Sequence, residues 1–372
     1  MPTAMPPRSG LRPPTPRALV ERALAHVGRG PEMRPLGAFG LRGRVYRRRG
    51  PDVRPFPIRW LEDLRRGPRR ATDRHSRRAG VRVAAAVAAP VAMGVASLRR
   101  QLKLPAAASV AIAAAAPLAA VAATKPRSRM RYVAAGAAYM WFFKVSWELP
   151  FDDKEKLRDR LHVDYPIAID RFLGFGVTPT QRLQRALRRN GEVSLLDKAV
   201  VLVYGSWFVP HLLLAYVLMR DERYVPRAAG RLSAAYHLTT PFYWLVPTAP
   251  PWWASEHGDR LDGEIDRVVE EVVCNVFGIE SSENSEGPGN PWASMPSDHI
   301  SSAAITAMGL AEVGPVYGAI GWTYVVAAGF AVVYCGEHYL VDVLAGLAVA
   351  EIVRVGEPYA APLVRAVAHA LE

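Results

Sequence analysis

Apolar residues in this chain gather into long blocks instead of recurring at amphipathic intervals. Uncharged runs close to the ~20 residues that cross a bilayer lie at 104–123, 199–219 and 316–335. Shorter or mixed runs lie at 83–98, 130–147, 232–253, 299–313 and 339–355. The pattern predicts about eight helices and an all-α, polytopic membrane protein. Its first two helices are Ala-rich and otherwise featureless, so an N-terminal hairpin over 83–125 precedes a six-helix core over 126–356. Residues 357–372 are expected to form a C-terminal tail. A soluble helical bundle is the alternative, but such a protein rarely carries uncharged runs of this length.

Composition changes the picture at one end. The 372 residues are half apolar, with a formal net charge of +13. Residues 1–82 hold 21 Arg against 6 acidic residues, a net of +15, so the remainder is slightly acidic. A like-charged block of this kind is a solvated arm, and the excess does not point to nucleic acid. The arm is expected to be disordered and cytoplasmic, drawn to an anionic lipid surface by up to about 1 kcal/mol per Arg. No signal peptide is expected, because no apolar core follows the early charges. Arg supplies 41 of the 47 basic residues beside abundant Ala, Pro and Gly. That bias suggests a GC-rich genome and a bacterial cell membrane. Cys274 and Cys335 are too few for a disulfide framework or a Cys-based zinc site.

Basic residues in short loops set the expected orientation. The loops 124–131 and 220–231 are Arg/Lys-rich and belong inside; the longer, more acidic segments 148–197 and 254–298 belong outside. Loop 99–103, Arg-Arg-Gln-Leu-Lys, contradicts this, being basic yet predicted outside. Segment 259–277 has helical spacing suited to the outer interface, and the polar stretch 281–290 is a candidate gating loop.

Candidate chemistry is concentrated after residue 290. Ser294-Met295-Pro296-Ser297-Asp298-His299 precedes one apolar helix, and Gly336-Glu337-His338-Tyr339-Leu340-Val341-Asp342 opens the last. His338 and Asp342 are four apart, so on a helix the carboxylate can accept one imidazole proton and orient the other nitrogen. His299, at another helix start, is a candidate general acid. Helix starts attract anions, so a phosphate between the two is physically sensible. The bland alternative is a pair of interfacial, structurally hydrogen-bonded histidines. Ionisable groups inside a membrane are costly, which favours function.

Pro296-Ser297-x-His299 and His338-x-x-x-Asp342-x-x-x-Gly346 resemble the second and third signature motifs of the type 2 phosphatidic acid phosphatase superfamily. The resemblance covers roughly residues 130–355 and implies a six-helix core. It implies that His338 is the nucleophile that takes the phosphoryl group, His299 protonates the leaving group, and Asp342 orients the nucleophile. Ser297, Asp298 and Tyr339 fall within these motifs and become candidate substrate contacts. Asp298 stands where the pattern has Gly. Ala331 and Val332 stand where phosphatases carry a phosphate-clamping Ser-Arg. Lipid phosphotransferases lack that clamp, and His338-Tyr339-x-x-Asp342 resembles inositol phosphorylceramide synthase and sphingomyelin synthases. Ala249-Pro250-Pro251-Trp252 resembles the loop of the inositolphosphotransferase branch, as, more weakly, does the stretch from Asp164-Tyr165-Pro166 to Asp170-Arg171.

Lys144 has two readings, as a phosphate ligand or as a snorkelling side chain paired with Glu148. Arg171 is a candidate substitute clamp. His211, deep in its helix, is expected to pack, and the Trp and Tyr residues of 236–253 to form an interfacial belt. Neither a carboxylate pair nor a His-x-x-x-His set accompanies the motifs, so no metal and no cofactor is expected. The expected activity is lipid phosphotransfer through a phosphohistidine on the extracytoplasmic side. The rivals are a lipid phosphate or polyprenyl diphosphate phosphatase using the same residues, and a non-enzymatic membrane scaffold.

Overall fold

The computed structural model describes residues 73–125, 128–188, 192–218, 225–258, 260–278 and 289–371. The basic arm and the candidate gating loop therefore lie almost wholly outside the described residues. Among these residues, regular structure is helical, apart from isolated bridges.

Helices α1 (Asp73–Ser97) and α2 (Ala106–Ala123) form the expected hairpin. It packs on α3 (Arg129–Glu148) through small side chains, with Ala96, Ala113 and Val145 in one cluster and Ala116, Ala120 and Ala138 in another. Small residues let helices approach closely where no hydrophobic drive separates protein from lipid. The basic loop that contradicted the orientation rule is neutralised. Arg99, only 5% exposed, reaches Asp152 at 2.7 Å and Glu148 at 3.4 Å, and Arg100 also pairs with Asp152. These ion pairs fix the hairpin's turn to the end of α3, on the side expected to face outward.

The chain then lays short helices across that end: α4 (Lys154–Arg158), α5 (Asp164–Leu173) and α6 (Pro179–Leu187). A capping box between Thr178 and Gln181, with Pro179 at the first helical position, starts α6. The apolar run 199–219 is not one helix but two, α7 (Leu195–Gly205) and α8 (Val209–Leu218), bent by 50°. Helix α9 (Val225–Leu245) stops early because Pro247, Pro250 and Pro251 cannot continue it. The expected run to 253 instead yields an extended loop and the short α10 (Pro251–Glu256), followed by α11 (Val268–Phe277). The remaining helices are α12 (Asp298–Val313), α13 (Pro315–Tyr334) and α14 (Leu340–Leu371). Helix α14 runs through the segment expected as a tail, and its Glu357 binds Arg227 and Arg231.

Three helices among the described residues are long and apolar enough to cross a membrane: Ala79–Ser97, Ala106–Ala123 and Pro315–Tyr334. The bent α7–α8 pair makes a fourth if it counts as one span. The short helices of the other end close over the site as a cap. Its core holds Phe151, Trp252, Trp253, Leu261, Trp292 and Tyr339. Three distant segments are stitched beneath it, with Thr248 bridging in parallel to both His162 and Ala293.

Candidate active site

The sequence brings His338 to its place through backbone constraints. After α13, Gly336 turns the chain at φ +73°, where an added Cβ would lie 2.9 Å from Ile265 Cγ2. The N–H groups of Glu337 and His338 both donate to Val332 O, and the N–H of Trp252 donates to Gly336 O at 3.0 Å. The Ala-Pro-Pro-Trp segment is thus hydrogen-bonded to the loop that carries the candidate nucleophile. Gly346 has an equally concrete role. A Cβ there would sit 2.5 Å from Ser297 O, so glycine lets the starts of α12 and α14 meet, joined by Ser297 N–H to Asp342 O at 3.1 Å.

His338 is nearly buried, at 5% exposure. Its Nδ1 lies 2.9 Å from Ser294 O and 3.4 Å from Asp342 Oδ2. The backbone carbonyl is therefore the nearer acceptor of the Nδ1 proton, and the carboxylate stands behind it. Asp342 is fully buried; its Oδ2 accepts from the Ser294 hydroxyl and the Tyr339 N–H. With Nδ1 protonated, Nε2 carries the lone pair, and it faces His299 Nδ1 at 3.4 Å. His299 stacks on Tyr204 at 4.9 Å between ring centroids and meets Trp207 edge-on. The break between α7 and α8 follows directly after Tyr204, so the irregular backbone lies beside the site.

The other expected site residues divide. Ser297 is buried at the start of α12, its Oγ without a hydrogen-bond partner. Asp298 is half-buried in the first turn of α12, with Oδ1 accepting from the Ser301 hydroxyl. Three others are not brought to the histidines as substrate contacts. Tyr339 is fully buried in the apolar core of the cap, its hydroxyl unpartnered. Lys144 is 63% exposed and paired with Glu148, the snorkelling arrangement. Arg171 is exposed on the outside of α5. His211 packs against Trp207, with Nδ1 2.9 Å from Trp207 O.

Three contributors were not singled out as site residues from the sequence, although Ser294 and Asp170 lie in stretches quoted there. Ser294 orients His338 through its backbone carbonyl, which no side-chain motif records. Arg267 stacks over Trp252 at 3.8 Å and offsets the charge of Glu337, next to the nucleophile. Burial holds the Glu337 carboxyl above its usual range, against the pull of His338 and Arg267. Asp170, buried on α5, accepts the N–H groups of Leu340 and Val341 at 2.9 Å each. Burial pushes its carboxyl from the ordinary 3.8 up to about 6, despite those two bonds; the neighbouring Asp342 also raises it. A folded value above the unfolded one means that this group makes stability fall as pH rises from about 4 to about 6. Asp170→Asn should flatten that slope, read as thermal midpoints in detergent near pH 4 and near pH 7. An unchanged slope would mean that Asp170 is ionised without cost.

The profile of the PAP2 superfamily matches residues 167–355, half of the chain. The match takes in both histidine motifs and Asp170, and leaves α3 with Lys144, and α4, outside. No curated protein and no solved structure matches the chain. Two histidines facing each other at the starts of packed helices, one backed by a buried Asp, lie within the matched segment. The chain belongs to the PAP2 superfamily, whose members are in general phosphatases and phosphotransferases.

Proposed function

We propose that the protein is a membrane lipid phosphotransferase that moves a phosphate-containing head group from a phospholipid donor to an acceptor hydroxyl. The observation that carries this reading is the shielded nucleophile: His338 is oriented by Ser294 and Asp342, faces His299, and is 5% exposed beneath the cap. A phosphoryl intermediate kept from bulk water is available to a positioned hydroxyl before it is hydrolysed. Burial of Ala331 and Val332 in the helix core, where phosphatases carry Ser-Arg, supports the same branch.

In this scheme His338 Nε2 attacks phosphorus and the bond to the diacylglycerol oxygen breaks. His299 gives its proton to that oxygen. The imidazolium formed at His338 keeps its Nδ1 proton on Ser294 O, with the Asp342 carboxylate offsetting the charge. An acceptor hydroxyl then attacks phosphorus, the P–N bond breaks, and the hydroxyl proton returns to His299. In-line transfer places phosphorus and the departing oxygen between the two rings, a wider gap than 3.4 Å, so His299 swings aside on its Tyr204 platform when lipid binds. Equatorial phosphate charge is met by the uncapped start of α12 and Ser297.

Labelled lipids resolved by thin-layer chromatography test the proposal. A new phospholipid is expected; free phosphate alone would make the protein a phosphatase, and no product from a broad donor panel would leave a scaffold. Because the charge is met by groups of the chain, turnover should survive EDTA. A loss restored by Mg²⁺ would contradict the scheme.

The site is proposed to face the extracytoplasmic side of a bacterial cell membrane, because the basic residues at the start of α3 (Arg129, Arg131) and of α9 (Arg227, Arg231) lie at the ends of those helices away from the histidines. With Cys274 replaced by Ser, a Cys at Glu155 should react with an impermeant maleimide in intact cells, and a Cys at Lys125 should not. The reverse labelling would place the chemistry in the cytoplasm. The arm 1–82 is proposed to rest on the anionic inner leaflet, away from the substrate.

A further inference from the structure

The first turn of a helix presents backbone N–H groups that find no partner inside it. The two helix starts at this site meet that demand in opposite ways. At α12 the N-cap Ser297 makes no side-chain cap, and its buried Oγ has no partner. At α14 every early N–H is taken. Tyr339 N–H goes to Asp342 Oδ2, and Asp342 N–H to Tyr339 O at 3.2 Å. Leu340 N–H goes to Asp170 Oδ2 and Val341 N–H to Asp170 Oδ1. Asp170 comes from 170 residues away in sequence, is fully buried, and forms no ion pair among the described residues. Burying a carboxylate against only two N–H groups is costly, and the residues it grips lie between His338 and Asp342.

We propose that Asp170 is a positioning residue: a resident anion that fills the start of α14, holds His338 and Asp342 in register, and reserves the open start of α12 for the substrate phosphate. The proposal rests on the phosphotransfer reading of the same site. Under it the substrate phosphate meets the start of α12 and not that of α14. Because Asp170 acts through the backbone, its loss moves the nucleophile without removing a substrate contact. It therefore affects kcat more than KM.

The test uses the full-length protein in lipid nanodiscs. Asp170→Ala should lower kcat on the order of 10²-fold, with KM nearly unchanged. Hydrogen exchange in the peptide containing Leu340 and Val341 should accelerate. Formate, a carboxylate small enough for the vacated space, should restore much of the rate to this variant and none to the wild type. If Asp170→Ala does not fold, Asp170→Asn keeps the test. Its amide offers one oxygen where the carboxylate offers two, so exchange should rise and kcat fall while the shape is retained. Wild-type kcat in a folded variant would overturn the proposal, as would a loss in which KM rises in step and formate restores nothing. If the wild type itself turns over no lipid, the phosphotransfer reading fails instead, and the exchange measurement still decides whether Asp170 anchors the helix.

Discussion

His338→Ala should abolish turnover, by a factor on the order of 10⁴ or more, while the protein still inserts and folds. The imidazole is held by polar and ring contacts, to Ser294, Asp342 and the ring of His299. Truncation therefore removes the attacking atom and little packing. Retention of more than a few per cent of the rate would exclude His338 as the nucleophile. Asp342→Asn should be milder than the familiar loss of a triad carboxylate, which misplaces the imidazole proton. Here Ser294 O already holds the Nδ1 proton at 2.9 Å, so the tautomer does not depend on Asp342. What is lost is the charge that stabilises the imidazolium, and a decline on the order of 10²-fold is expected.

His299→Ala should separate substrates by leaving group. A diacylglycerol alkoxide needs a proton as it departs, so the natural reaction should fall by roughly 10²–10⁴-fold, the usual contribution of a general acid. A nitrophenyl ester of the same head group leaves as a stable anion, and its first step should change by less than about tenfold. The rates of Asp170 variants should fall for both substrates together, which distinguishes a displaced nucleophile from a missing acid. Equal losses for the two leaving groups in His299→Ala would move His299 from proton donor to structural residue.

The site was legible where its chemistry is local. His338 and Asp342 are four residues apart at a helix start, and His299 follows Pro296-Ser297 at another, so local spacing and the motif resemblance together named side chains that the fold places face to face. The fold was legible as far as unbroken apolar runs define helices. The break in 199–219 was not, although Gly205 and Pro210 flank it, because the run carries no charge and its length matches one span; at the break Tyr204 and Trp207 turn to meet His299. Long-range and backbone contributions were also hidden. Asp170 reaches α14 across 170 residues, and Ser294 acts through a carbonyl that every residue possesses. Arg267 is tied in by stacking on Trp252, and stacking has no spacing rule. Lys144 and Arg171 were candidates because a phosphate needs cations; Lys144 takes the other of its two readings and closes on Glu148, and Arg171 is exposed. The two segments quoted only for a resemblance, 164–171 and 249–252, both hydrogen-bond the backbone around the nucleophile. Asp170 binds the N–H groups just past the nucleophile, and Trp252 N–H binds the carbonyl of Gly336, two residues before it.

The most direct test of the account is to trap the intermediate. The protein is mixed with a phospholipid labelled in its phosphate and quenched in alkali, where phosphohistidine survives, and the label is then located by mass spectrometry after proteolysis. Label is expected on the peptide carrying His338, lost in His338→Ala, and discharged into a new phospholipid when acceptor is added before the quench. Rapid lipid turnover with no label on the protein, or with label on any other residue, would contradict it.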